Sequence, residues 1–141
     1  MYNELKVYTD GGSRGNPGQS AIGVVIFDKN EVRIKDFSSY LGDNITNNQA
    51  EYIALLEGLR LAKQLDGKKI TCYSDSLVII KQANGEYKVK NEILKNYYRE
   101  LKEREYEFKN VKYVHASRTN IKIKMADYLL NKILNSDPWI K

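Results

Sequence analysis

Four carboxylates, Asp10, Glu51, Asp75 and Asp127, fall at places in the sequence where an acid can do chemistry. Asp10 follows the strand-like run Leu5-Lys-Val-Tyr-Thr9 and precedes Gly11-Gly12, which places it at the end of a first strand, leaving the sheet at a loop. Asp75 closes Ile70-Thr-Cys-Tyr-Ser74 in the same way. Ligand sites of open sheets gather at the carboxyl ends of adjoining strands, so these two acids are expected to be neighbours. Glu51 reads as part of the first turn of a long helix and Asp127 as near the first turn of the last one, neither with a basic partner close by in sequence. Taken singly, each has an ordinary explanation: the helix macrodipole for Glu51 and Asp127, turn formation or N-capping for Asp10 and Asp75. Taken together, four converging carboxylates would repel one another and raise each other's pKa unless divalent cations lay between them. An all-oxygen set of that kind selects Mg2+ or Mn2+. With one His and one Cys in the chain, zinc lacks its usual ligands.

The elements that must position these acids can be read from periodicity. Leu5 to Asp10, the apolar run Ala21 to Phe27, and Glu31 to Phe37 read as three strands, with a Gly-rich turn after the first and Asp28-Lys-Asn30 turning the chain into a half-exposed third. From Asn47 the spacing of Tyr52, Leu55, Leu59 and Ala62 becomes helical, and Thr46-Asn-Asn-Gln49 fits a capping box. A fourth strand (Lys69 to Asp75), a short helix (Leu77 to Ala83), a helix around Leu94, Tyr97, Tyr98 and Leu101, a fifth strand (Val111 to Val114) and a last helix from about Ala126 to Leu134 follow. This order predicts an α/β fold: a five-stranded mixed sheet, its first three strands antiparallel, flanked by about four helices.

At 141 residues the chain is expected to form a single domain over residues 1–141, with the tail from about 135 to 141, including Trp139, open between packing and mobility. Its composition, 42% hydrophobic and 29% charged, is that of an ordinary globular protein, and no apolar run approaches the roughly 20 residues of a membrane span. No membrane partner is therefore expected. The N-terminus lacks the features of a secretory signal and Cys72 has no intrachain disulfide partner, so the cytoplasm is the expected location, and a monomer the expected state. The net charge of +5 resides entirely in residues 85 to 141, which hold thirteen basic and eight acidic side chains. Such a bias suits a polyanion, although many basic proteins bind no nucleic acid.

Thr9-Asp-Gly-Gly-Ser-Arg-Gly-Asn-Pro-Gly18, Thr46-Asn-Asn-Gln-Ala-Glu51, Tyr73-Ser-Asp-Ser76 and Ala126-Asp127 resemble, in this order and spacing, the four motifs of type 1 ribonuclease H. The segment Gln82 to Asn91 is similar to members without the basic handle. The resemblance implies the ribonuclease H-like fold and endonucleolytic hydrolysis of the RNA strand of RNA/DNA hybrids, with Mg2+ as cofactor, two ions per site, and Mn2+ as a substitute. It further implies that Asp10 bridges both ions, that Glu51 and Asp75 complete the cage, and that Asp127 is the fourth ligand. One ion then activates water and the other stabilises the leaving oxygen, giving 5′-phosphate and 3′-hydroxyl ends. By the same resemblance Gly11, Gly12, Ser13, Asn16, Asn47 and Asn48 contact the RNA sugars and minor groove, and Thr46 and Asn91 hold a DNA-strand phosphate.

The approach to the fourth acid departs from the family pattern. His115-Ala-Ser-Arg-Thr-Asn-Ile-Lys-Ile-Lys-Met-Ala-Asp127 lacks a Pro, has two additional residues, and carries Ile123 where an Asn is expected. His115 or Arg118 is the candidate to help product leave, and His115 alternatively just finishes the fifth strand. The competing expectation is a non-catalytic or weakly active nucleic-acid-binding module on the same fold. A recombinase core or a reverse-transcriptase-associated domain would call for additional domains.

Overall fold

Nine elements follow one another in the computed structural model, which describes residues 1–136. They are β1 (Tyr2–Arg14), β2 (Gly18–Asp28), β3 (Arg33–Ile45), α1 (Asn47–Gln64), β4 (Gly67–Ser74), α2 (Leu77–Ala83), α3 (Glu92–Glu105), β5 (Asn110–His115) and α4 (Ile121–Leu134). Trp139 lies outside the described residues. The strands form one sheet in the order β3-β2-β1-β4-β5, with β2 antiparallel to both β1 and β3, and β4 and β5 running parallel to β1.

Strand alternation divides the interior into two layers. Leu5 and Val7 of β1 and Val24 and Ile26 of β2 point to the face covered by α1, where they pack with Tyr52, Leu55 and Leu59. Tyr8, Val25 and Phe27 point to the opposite face, against Ile123 and Ala126 of α4. Helices on both faces explain why β2 is buried without interruption from Ser20 to Phe27, while β3, at the sheet edge, has no fully buried residue. Cys72 is a buried member of the α1-side core, as a small apolar filler should be. Leu55 is fully buried at the centre of the α1 contact. Its truncation in Leu55→Ala is expected to lower unfolding free energy by about 2–5 kcal/mol, measured by denaturant titration.

Several positions differ from the sequence reading, each for a physical reason; β3 runs on to Ile45 rather than ending at Phe37, because its pairing with β2 continues to Gly18↔Ile45. Gly11 and Gly12 lie within β1 rather than in a turn, because β2 pairs with β1 as far as Arg14↔Gln19 and the ladder satisfies their backbone groups. Asp10, opposite Gly23, therefore sits inside a strand rather than at its end. The reversal falls after Arg14, where Gly15 adopts φ +87, a conformation that favours glycine. Helix α1 starts at Asn47 with the expected capping box of Thr46 and Gln49, which leaves Glu51 beyond the first turn and removes the macrodipole as its explanation. Helix α4 starts at Ile121, five residues before Ala126, because the Asn120 side chain accepts from the amides of Lys122 and Ile123. Its first turn alternates Ile and Lys, a period of two that hides the helix.

Candidate metal centre

The sheet creates a cleft by ending unevenly. β4 pairs with β1 only as far as Tyr8↔Tyr73, while β1 continues to Arg14 alongside β2. Asp10 stands two residues past that last pair, beside the carboxyl end of β4, where Asp75 follows directly. Along this free stretch alternate residues of β1 serve different helices. Gly11 and Ser13 face α1, while Asp10, Gly12 and Arg14 face α4.

Two glycines bracket Asp10 and bring the helices in. A Cβ on Gly11 would lie 2.4 Å from the Ala50 carbonyl, so the absent side chain admits the α1 backbone at the residue before Glu51. A Cβ on Gly23, the cross-strand partner of Asp10, would lie 2.0 Å from the Ala126 carbonyl, and Ala126 precedes Asp127. The Gly11 amide donates to Glu51 Oε1 at 2.9 Å and orients that carboxylate.

Asp10, Glu51 and Asp75 each present a carboxylate oxygen within 4.8 Å of the other two. Asp127 does not belong to that trio, but its carboxyl lies within hydrogen-bonding range of Asp10 and lines the same cleft. Asp10 and Glu51 are only 7% and 8% exposed. Burial, then repulsion by Glu51, pushes the Asp10 carboxyl up to about 10, with the hydrogen bond to Asp127 and the charge of Asp75 adding to it. Burial and Asp75 push Glu51 up to about 8 against the opposing Gly11 amide. Asp75 is also raised by burial, with Arg118 the main opposing influence and His115 a smaller one.

None of the four acids is ion-paired to a Lys or Arg among the described residues. Buried, mutually repelling and unpaired carboxylates are the environment a hard divalent cation stabilises, and the donor set, all oxygen, fits one.

The remaining site residues named from the sequence divide between two adjoining depressions. Gly11, Gly12, Ser13, Asn47 and Asn48 line the acidic cleft. Asn16, Thr46, Asn47, Asn48 and Asn91 line a second, which shares Asn47 and Asn48 with the first. The region is preorganised: the Ser13 amide donates to Asn47 Oδ1 at 2.8 Å, and the Asn47 amide donates to Asn16 Oδ1 at 3.0 Å. Thr46 and Asn91 cap α1 and α3 with their side-chain oxygens. His115 ends β5, paired with Ser74, whereas Arg118 reaches the cleft. The loop between them is closed by the Ser117 hydroxyl, which accepts from the Thr119 amide at 3.1 Å.

Ile123 is a buried core residue under α4, 1% exposed. Arg14 and Asn131, also in the cleft wall, escaped the sequence reading. The parity of Arg14 with Asp10 along β1 was the available signal, hidden by assigning the glycines to a turn.

A family model described as reverse transcriptase-like matches residues 8–133. A bifunctional protein of Mycobacterium tuberculosis is 30% identical over 133 residues, covering 94% of this chain and 36% of its own length, so the chain spans about a third of that relative. The crystal structure of an RNase H1 from the halophilic archaeon Halobacterium salinarum superposes with a TM-score of 0.89 at 29% identity, over 94% of this chain and 98% of that one. LC11-RNase H1 in complex with an RNA/DNA hybrid superposes with a TM-score of 0.84 at 35% identity, over 91% and 94% of the two chains.

Proposed function

The chain belongs to the reverse transcriptase-like family and, within it, to the type 1 ribonucleases H, and from that premise we propose that it is a metal-dependent endonuclease hydrolysing the RNA strand of RNA/DNA hybrids. The observation that carries the proposal is the trio of unpaired carboxylates at the open end of β4, two of them buried and Asp75 half-buried. Asp10, Glu51 and Asp75, with Asp127 beside Asp10, would hold two Mg2+ ions, for which Mn2+ would substitute. Bound there, such ions supply Lewis-acid polarisation of a phosphodiester and lower the pKa of water.

The chain's own residues select and orient the substrate. The side-chain-free Gly11 and Gly12 let a sugar-phosphate strand approach the backbone, and the amides of Asn16, Asn47 and Asn48 offer donors and acceptors to 2′-hydroxyls, the groups that separate RNA from DNA. Thr46 and Asn91 line the second depression, which adjoins the acidic cleft through Asn47 and Asn48, and would hold a DNA phosphate. Hydrolysis adds water oxygen to phosphorus and breaks its bond to the 3′ oxygen, which leaves with a proton. The products carry 5′-phosphate and 3′-hydroxyl ends.

Cleavage of an end-labelled hybrid with Mg2+ or Mn2+, with duplex DNA as control, tests the reading. Cutting of the RNA strand alone is the expected result. Salt-sensitive hybrid binding without cutting by either metal would instead assign a binding module on this fold. Arg118 lines the cleft and would draw product phosphate away from the acids, so Arg118→Ala is expected to lower kcat on the order of tenfold, the effect of about 1.4 kcal/mol. His115→Ala is expected to have the smaller effect, because His115 closes β5 and stays outside the cleft lining. Steady-state kinetics on one hybrid compares the two variants.

A further inference from the structure

Arg14 lines the acidic cleft, and the reaction proposed above gives it no task. Its guanidinium donates to the Leu134 carbonyl at 3.2 Å and to Asn131 Oδ1 at 3.1 Å, both at the carboxyl end of α4. Asn131 in turn donates from Nδ2 to the Asp127 carbonyl at 3.0 Å. A continuous path of hydrogen bonds therefore runs from Arg14 to the backbone of Asp127.

We propose that Arg14 is a positioning residue for Asp127, acting through Asn131 and the carboxyl end of α4; this rests on the reading of Asp127 as a metal ligand. Asp10 and Asp127 are adjacent carboxylates on different elements, so the spacing of α4 from β1 sets how the two acids face one another. Near Asp127 the helix is held by the contact of Ala126 with Gly23, and by Leu130, which lies over Gly12. The carboxyl end of the helix is packed through Leu134, buried with Ala21 and Leu130.

Arg14 adds a polar tie at that end. It lies four residues after Asp10 on the same face of β1, about 13 Å along the strand, and Leu134 lies seven residues after Asp127, about 10.5 Å along the helix. One strand thus grips one helix near both ends of the same span. An arginine on the last carbonyls of a helix is also favourable with its dipole. The guanidinium is separated from the Asp127 carbonyl by two hydrogen bonds, of 3.1 and 3.0 Å, through the Asn131 amide, so its charge acts alongside its geometry, and Arg14→Lys, which keeps the charge, separates the two.

The test uses the full chain and three readouts: Mn2+ affinity from the melting shift on titration without nucleic acid, hybrid affinity across a salt series without metal, and kcat against KM on the hybrid. Arg14→Ala is expected to weaken Mn2+ binding and to lower kcat about tenfold each, as loss of a residue supporting a metal ligand does, with KM and the salt slope unchanged. Asn131→Ala, which leaves the bond from Arg14 to Leu134 intact, is expected to weaken Mn2+ binding in the same direction. Arg14→Lys, which keeps the charge and loses the fork, is expected to restore only part of the loss. In an Asp127→Asn background, Arg14→Ala is expected to change Mn2+ affinity by less than about twofold, because its effect is already gone.

A flatter salt slope and weaker hybrid binding at unchanged Mn2+ affinity would overturn the proposal in favour of a phosphate contact. A lower melting temperature with all three readouts unchanged would reduce Arg14 to a structural tie. If Arg14→Ala does not melt cooperatively, Arg14→Lys and Asn131→Ala decide by the same criteria. A parent chain that cuts no hybrid defeats the enzyme reading itself, whereas a cutting parent matched by its Arg14 variants defeats this role alone.

Discussion

Replacement of Asp10 by Asn is expected to cut hydrolysis of the RNA strand by roughly 10³-fold or more, a loss of at least about 4 kcal/mol of transition-state stabilisation. Asp10 is the carboxylate that touches every other: it belongs to the trio with Glu51 and Asp75 and lies within hydrogen-bonding range of Asp127. An amide presents one neutral oxygen in place of an anionic pair, so the centre loses its shared ligand while its shape is kept. The same substitution is expected to stabilise the metal-free chain. It removes a carboxyl that burial and the repulsion of Glu51 make costly to ionise, at about 1–3 kcal/mol for a buried group without its partner. Melting of parent and Asp10→Asn in chelator at pH 7.5, beside the cleavage assay, checks both halves. A variant that is inactive and also less stable would mean that Asp10 supports the fold, contrary to the electrostatics of the site.

The second large effect links metal, pH and stability. Asp10 and Glu51 are raised from ordinary values of 3.8 and 4.5 to about 10 and about 8. A folded-state carboxyl above its unfolded value holds its proton longer in the folded chain, so the unfolded state binds fewer protons between the two values. Stability without metal should therefore be greatest below about pH 4 as far as these groups are concerned, and should fall as pH rises to about 8 for Glu51 and about 10 for Asp10.

A divalent cation reverses the penalty by replacing those protons, so its stabilising effect should grow across the same window. At a metal concentration of 100 times Kd the gain is about 2.7 kcal/mol. Melting scans with and without Mg2+ at pH 5.5 and pH 8 should show a larger upward shift at pH 8, and little shift at either pH in Asp10→Asn. Equal shifts in parent and variant would place the bound cation elsewhere.

The legible parts of this chain were those with local signals. The period change at Asn47, the capping box of Thr46 and Gln49, and the uninterrupted apolar run of β2 all survive in the structure, because each reflects neighbours within one element. Asp10 and Asp75 were readable as a pair because each follows a strand-like run, and the motif around Asp10 named its partners by resemblance. The misread segments were those whose backbone is satisfied from a distance. Gly11 and Gly12 have turn composition and strand structure, since β2 supplies their ladder. The first turn of α4 has strand periodicity and helical structure, since Asn120 caps it and Ile123 finds a core.

The amino-acid sequence by itself determined the chemistry available here: four carboxylates, a single His and a single Cys, a basic second half, and strands and helices in the order of a mixed sheet. Tertiary structure alone decided which acids meet and how closely. Asp10 belongs to the open end of the sheet because β4 stops at Ser74 while β1 continues, and Glu51 and Asp127 reach it because Gly11 and Gly23 admit two helix backbones to van der Waals range. Arg14 joined the site for the same reason. Its parity along β1 and the path of α4 bring it to Leu134, 120 residues away in sequence, a contact that no local pattern encodes.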